Sequence, residues 1–116
     1  MGRLTTHVLD TASGKPAAGM KVDLHRWGEH GWKLVKKIIT NDDGRADEPL
    51  LQGEECVVGH YRLMFKVGEY FQKAGSADAK KFLDHVPIDF TIADAEAHYH
   101  VPLLCSPWAY STYRGS

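Results

Sequence analysis

Two imidazoles stand one residue apart in His98-Tyr99-His100, a third lies at His7, and the turn-like stretch "NDDG" runs into Arg45. A neutral imidazole takes a proton from water and an imidazolium returns one, because histidine titrates near pH 6.5. Arginine adds a flat, permanently charged fork of donors suited to a carbonyl or an oxyanion. The last nine residues, "WAYSTYRGS", hold three aromatics and an arginine where chain ends are usually small and loose. No G-x-S-x-G elbow and no glycine-rich phosphate loop is present. By residue type the histidines suit positioned acid–base chemistry, whereas an arginine that follows a turn, as Arg45 does, is by itself most often solvated.

Such groups act only if the fold brings them together. The spacing predicts strands over 4–9, 20–27, 32–40, 86–92, 98–105 and 109–114, with one or two more within 54–67. One short helix is expected over 68–75, closed by a glycine. Many short strands with turn signals between them argue for an antiparallel β-sandwich.

Side chains alternate along a strand, so parity sorts the candidates. Over 98–105, Tyr99, Val101, Leu103 and Cys105 form a core face. His98, His100, Pro102 and Leu104 share the other, with the two imidazoles about 7 Å apart. A face mixing histidine with apolar groups suits a cleft or an interface. His7 shares a face with Thr5 and Leu9. In the last strand Ser111 and Tyr113 share one face, and Tyr110, Thr112 and Arg114 the other. The scattered His25, His30, His60 and His85 read as surface or satisfied residues. Trp27 and Trp32 flank a hairpin and read as packing residues. Cys105, on core parity, is a poor nucleophile.

The chain has 116 residues, one domain's worth, with 43% hydrophobic and 25% charged residues. Its formal charge of -1 disfavours nucleic acid and anionic membrane surfaces as partners. No apolar run reaches the length of a membrane span, and the first residues lack the apolar stretch of a secretory signal. Cys56 and Cys105 stand in no metal spacing and read as free thiols. A cytoplasmic location is the expectation.

The stretches "LTTHVLDTASGKPAAG", "TNDDGR" and "HYHVPLLCSPWAYSTYRGS" occur in that order. Together they resemble the transthyretin-like 5-hydroxyisourate hydrolases, across nearly the whole chain. The terminal Tyr-Arg-Gly-Ser discriminates most, because there the hydrolases part from transthyretin itself. The resemblance implies a transthyretin-like antiparallel β-sandwich of two four-stranded sheets with one short helix. It implies a homotetramer with active sites in a channel where dimers meet, and no metal or organic cofactor. The implied reaction opens 5-hydroxyisourate, the product of urate oxidation, to 2-oxo-4-hydroxy-4-carboxy-5-ureidoimidazoline. The implied catalytic residues are His7, Arg45 and His100. The implied substrate-binding residues are His7, Arg45, Tyr113, Arg114, Gly115 and Ser116. Within the tail, Tyr113 reads as the contact residue, Gly115 as a bend, and Arg114 with the Ser116 carboxylate as anchors. Which histidine is the base stays open, and His98 reads as a rim residue.

Three other functions compete. A carrier of small aromatic ligands would prefer neutral or apolar groups to His7, Arg45 and His100. A metal-dependent hydrolase could use His7, His98 and His100, but no HExxH, CxxC or paired carboxylates support it. A purely structural module would have no use for a histidine-rich face.

Overall fold

In the computed structural model, which describes residues 1–116, the strands follow the alternation of buried side chains. Strand β1 (Arg3–Asp10) buries Leu4, Thr6, Val8 and Asp10 and leaves Thr5, His7 and Leu9 half-covered on the other face. Eight short strands and a single helix follow it. They are β2 (Lys15–Pro16), β3 (Lys21–Gly28), β4 (Gly31–Ile39), β5 (Leu51–Gln52), β6 (Gly59–Lys66), helix α1 (Val67–Lys73), β7 (His85–Ile92), β8 (His98–Cys105) and β9 (Tyr110–Thr112). One sheet runs β2-β1-β8-β9, with β5 also pairing β1, and the other runs β4-β3-β6-β7.

The two sheets close on one apolar core. Leu4, Val8 and Leu103 of the first sheet and Leu24, Leu63 and Phe65 of the second are fully buried in it. Each such side chain contributes roughly 1.5–3 kcal/mol by leaving water. The buried Thr6 and Asp10 side chains are partnered, whereas the buried Nδ1 of His25 has no partner. Thr6 donates to the Val101 carbonyl at 2.7 Å. The buried Asp10 carboxylate accepts from the Ala12 and Ser13 amides and from the Tyr70 hydroxyl, the last at 2.8 Å. That carboxylate ties the end of β1 to α1.

The two-sheet sandwich with one short helix matches the expectation, and most strand bounds differ from it by a residue. One pairing does not match an all-antiparallel reading. β1 and β8 run parallel along their whole length, from Arg3 opposite His98 to Asp10 opposite Cys105. Parallel neighbours need a long connection, and the two strands lie at opposite ends of the chain. Within 54–67 a single strand, β6, follows a 3₁₀ turn at Gly53–Glu55. In the tail only Tyr110–Thr112 is strand, although Gly115 bridges back to His100. β2 and β5 are two residues each, too short for periodicity to show them.

Candidate active site

The parallel register places the histidines. His100 lies directly opposite Thr5, and His7 opposite Pro102, so both imidazoles stand on the outer face of one sheet, two positions apart. His100 is half-buried and His98, at the strand's start, is exposed. Thr5 Oγ1 and His100 Nδ1 lie 2.8 Å apart in a hydrogen bond whose direction the ring tautomer decides. Arg3 Nε donates to His98 Nε2 at 3.2 Å.

Arg45 reaches this face through its turn. Asn41 Oδ1 accepts from the amides of Asp43 and Arg45, at 2.9 and 3.1 Å. The turn folds back on itself through Gly44 N to Asn41 O and Asn41 N to Arg45 O. Gly44 adopts φ of +75°, and a Cβ built on it would collide with the Val8 carbonyl oxygen. Only glycine lets the turn press against β1 here. The result is a backbone bridge between His7 and Arg45. The guanidinium of Arg45 is exposed and forms neither a hydrogen bond nor an ion pair within the chain.

That unpaired cation shapes the titration of both imidazoles. Burial, then the Arg45 charge, holds His7 below its ordinary value, against an opposing pull from Asp43. Burial, then the charges of Arg45, His7 and His98, lowers His100 as well. Both rings are therefore neutral at pH 7, with lone pairs available.

The tail completes the wall. Gly115 N donates to the His100 carbonyl at 2.8 Å. Arg114 Nη2 donates to the His98 carbonyl at 3.1 Å, and its guanidinium lies 4.4 Å from the centre of the Tyr99 ring. A cleft of about 430 Å³ results, lined by Arg3, Thr5, Arg45, Asp47, Glu48, His98, His100 and Ser116 among others.

Of the expected residues, Arg45, His100 and Ser116 line this cleft, and His7 lies beside it on the same face. Tyr113 is 61% exposed and lines no part of it. Arg114 is directed onto Tyr99 and the His98 carbonyl, and Ser116 forms no ion pair. Gly115 is not in the left-handed region, so it makes no special bend. It is small because a Cβ there would collide with His100 Cδ2. Arg3 carries no signal in the sequence, and neither does the pairing of Thr5 with His100. Thr5 was placed on the face of His7, but only the parallel register sets it against His100.

Other groups do not compete. No cluster of three histidine, cysteine, aspartate or glutamate side chains is assembled to hold a metal. The Nε2 lone pair of His98 is already engaged by Arg3. Cys56 and Cys105 are free and buried, and burial pushes the Cys105 thiol up to about 12. A cleft of about 480 Å³ lies between Lys21, Asp23, Lys37, Lys66 and Glu69, but both of its carboxylates are already paired, Glu69 with Lys21 and Asp23 with Lys66.

The family model described as HIUase/Transthyretin matches residues 4–115. The chain is 54% identical over 116 residues to 5-hydroxyisourate hydrolase 2 of Rhizobium meliloti, covering 99% of this chain and 97% of that one. Its fold is similar to that of Klebsiella pneumoniae 5-hydroxyisourate hydrolase, with a TM-score of 0.83 and 34% identity over all of both chains. It is also similar to an (S)-allantoin synthase, with a TM-score of 0.91 and 49% identity. There the match covers 99% of this chain but only 44% of the synthase chain.

Proposed function

The chain belongs to the HIUase/Transthyretin family, and from that premise we propose that it hydrolyses 5-hydroxyisourate to 2-oxo-4-hydroxy-4-carboxy-5-ureidoimidazoline. The relatives named as hydrolases of that compound support the reading. The observation that carries it is the grouping of Arg45, free of any internal partner, with two imidazoles that burial and its own charge keep neutral.

In this reading a neutral imidazole, His7 or His100, takes a proton from water as the oxygen attacks the carbonyl of the six-membered ring. Charge develops on the carbonyl oxygen. Arg45 donates to that oxygen and holds the planar ring in place. The C–N bond then breaks, and the departing ring nitrogen takes the proton back from the imidazolium formed in the first step, while the other imidazole orients the water. The products are a carboxylate and a ureido group, with one water consumed. Positioned acid–base groups of this kind contribute about 10²- to 10⁴-fold. No covalent nucleophile, metal or cofactor is needed.

We read the assembly as a homotetramer, with sites where dimers meet. The cleft is open, and Arg45 and Tyr113 are exposed in a single chain, which supports completion by a neighbouring copy. In that assembly Tyr113 contacts substrate. No helix is long and apolar enough to cross a membrane. The two free cysteines fit a reducing compartment, and we assign the protein to the cytoplasm.

The test is the ultraviolet decay of freshly prepared 5-hydroxyisourate. We expect purified protein to accelerate it far above the spontaneous rate. Decay at the spontaneous rate would remove the assignment, and the carrier reading of the same face would then be tested by ligand titration.

A further inference from the structure

Resting on the hydrolase reading, we infer that Thr5 and Gly115 are positioning residues for the imidazole of His100, gripping the ring from two sides so that its Nε2 is the nitrogen presented to water or substrate. Neither touches the reacting atoms in this account; both act through His100.

The first grip is a hydrogen bond. Thr5 Oγ1 lies 2.8 Å from His100 Nδ1 and is the only polar group bonded to that ring. It sits directly across the parallel β1–β8 register, so the bond is built into the sheet rather than into a mobile loop. With Nδ1 engaged, Nε2 is the one ring nitrogen left for chemistry.

The second grip is steric. Gly115 N is bonded to the His100 carbonyl at 2.8 Å, which brings the tail backbone against the ring. A Cβ on Gly115 would collide with His100 Cδ2 and lie 3.2 Å from Cγ. The absent side chain is the space that the imidazole occupies.

A hydroxyl is the appropriate partner for a ring that must change charge. It accepts from Nδ1–H in the neutral ring, which leaves the Nε2 lone pair free to take a proton, and it accepts from the same Nδ1–H in the imidazolium. A carboxylate at the same place would favour the imidazolium and oppose the neutral state that burial and Arg45 maintain. Thr5 therefore holds the ring's orientation through both protonation states. His98 lacks this arrangement, since its Nε2 is the atom engaged, by Arg3.

The experiment compares wild type with Thr5→Val, Thr5→Ser and Gly115→Ala in the full chain. It measures kcat and KM for 5-hydroxyisourate, and the ¹⁵N shifts of the His100 ring. Valine keeps the shape and removes the bond, so kcat should fall about tenfold or more with KM within about twofold. Serine should restore kcat to within about threefold of wild type. Gly115→Ala should lower kcat by a comparable factor. The Nδ1 shift of His100 should move in Thr5→Val and return in Thr5→Ser. Should Thr5→Val fail to fold, Thr5→Ala supports the same comparison. The inference is overturned by a Thr5→Val kcat within twofold of wild type, by an effect confined to KM, by failure of serine to restore turnover, or by unmoved His100 shifts. If wild type itself does not turn over 5-hydroxyisourate, the hydrolase reading fails, and the ring shifts still decide whether Thr5 holds His100.

Discussion

Arg45 is bridged to His7 through the backbone, and burial first, then the unpaired Arg45 guanidinium, lowers both His7 and His100. One charge thus has two consequences. In the proposed reaction it would offer donors to the developing oxyanion, and with burial it disfavours protonation of the two imidazoles. The Arg45→Gln variant separates the two effects. Loss of the oxyanion donor should cost about 10²- to 10³-fold in kcat. The residual activity should show its acid limb at higher pH than wild type, because removing a cation raises the imidazoles. A pH–rate profile with an unmoved acid limb would argue that Arg45 does not govern the bases.

The same lowering predicts how stability depends on pH. His7 and His100 bind protons less readily folded than unfolded, where imidazole titrates near 6.5. Between the folded and unfolded values the unfolded chain holds more protons, so stability rises with pH there. The contribution is full above about pH 6.5 and is lost as pH falls below it. Thermal melts at pH 7.5 and 5.5 should show a drop that is smaller in the His7→Asn, His100→Asn double variant. An equal drop in both proteins would place the proton-linked instability elsewhere.

Gly44 offers a test of how Arg45 is delivered. An alanine at φ of +75° costs about 1–2 kcal/mol from backbone strain alone. The collision of its Cβ with the Val8 carbonyl adds to that and pushes the turn off β1. For a domain of this size we expect Tm to fall by roughly 4–8 °C per kcal/mol. Turnover at a temperature where the variant is still folded should fall as well, because Arg45 is the next residue. A variant that loses Tm but keeps kcat/KM would show that Arg45 tolerates displacement.

Much of the site was legible because strand parity is local. The alternation in 98–105 assigned Tyr99, Val101, Leu103 and Cys105 to the core, and all four are buried. The same rule set His7 and His100 on outer faces, where they are found half-buried. Parity carries no information about which strands are neighbours or in which direction they run. The parallel β1–β8 pairing joins residues about 95 apart in the chain, and so Thr5 could not be matched to His100. The joining of Arg45 to His7 had no signal in spacing; it rests on the Asn41–Gly44 turn folding back onto β1. Gly115 read as a bend because glycine commonly permits one, whereas its use here is close approach to a ring.

Arg114 gives the sharpest test of the tail. A residue that binds substrate directly should, when removed, raise KM. The geometry instead shows a strap. Its guanidinium lies over Tyr99 and donates to the His98 carbonyl, one residue before Gly115 meets His100. The strap is worth about 1–2 kcal/mol from one cation–π contact and one exposed hydrogen bond. Arg114→Ala should therefore loosen the tail, release the His100 ring and lower kcat several-fold while KM stays within about twofold. Deleting 113–116 should lower kcat further and Tm as well, since the Gly115 bridge is lost with the strap. Arg114→Lys keeps a charge above Tyr99 but not the planar fork, and should fall between wild type and Arg114→Ala. A rise in KM with kcat unchanged would place the guanidinium on the substrate and not on the strap.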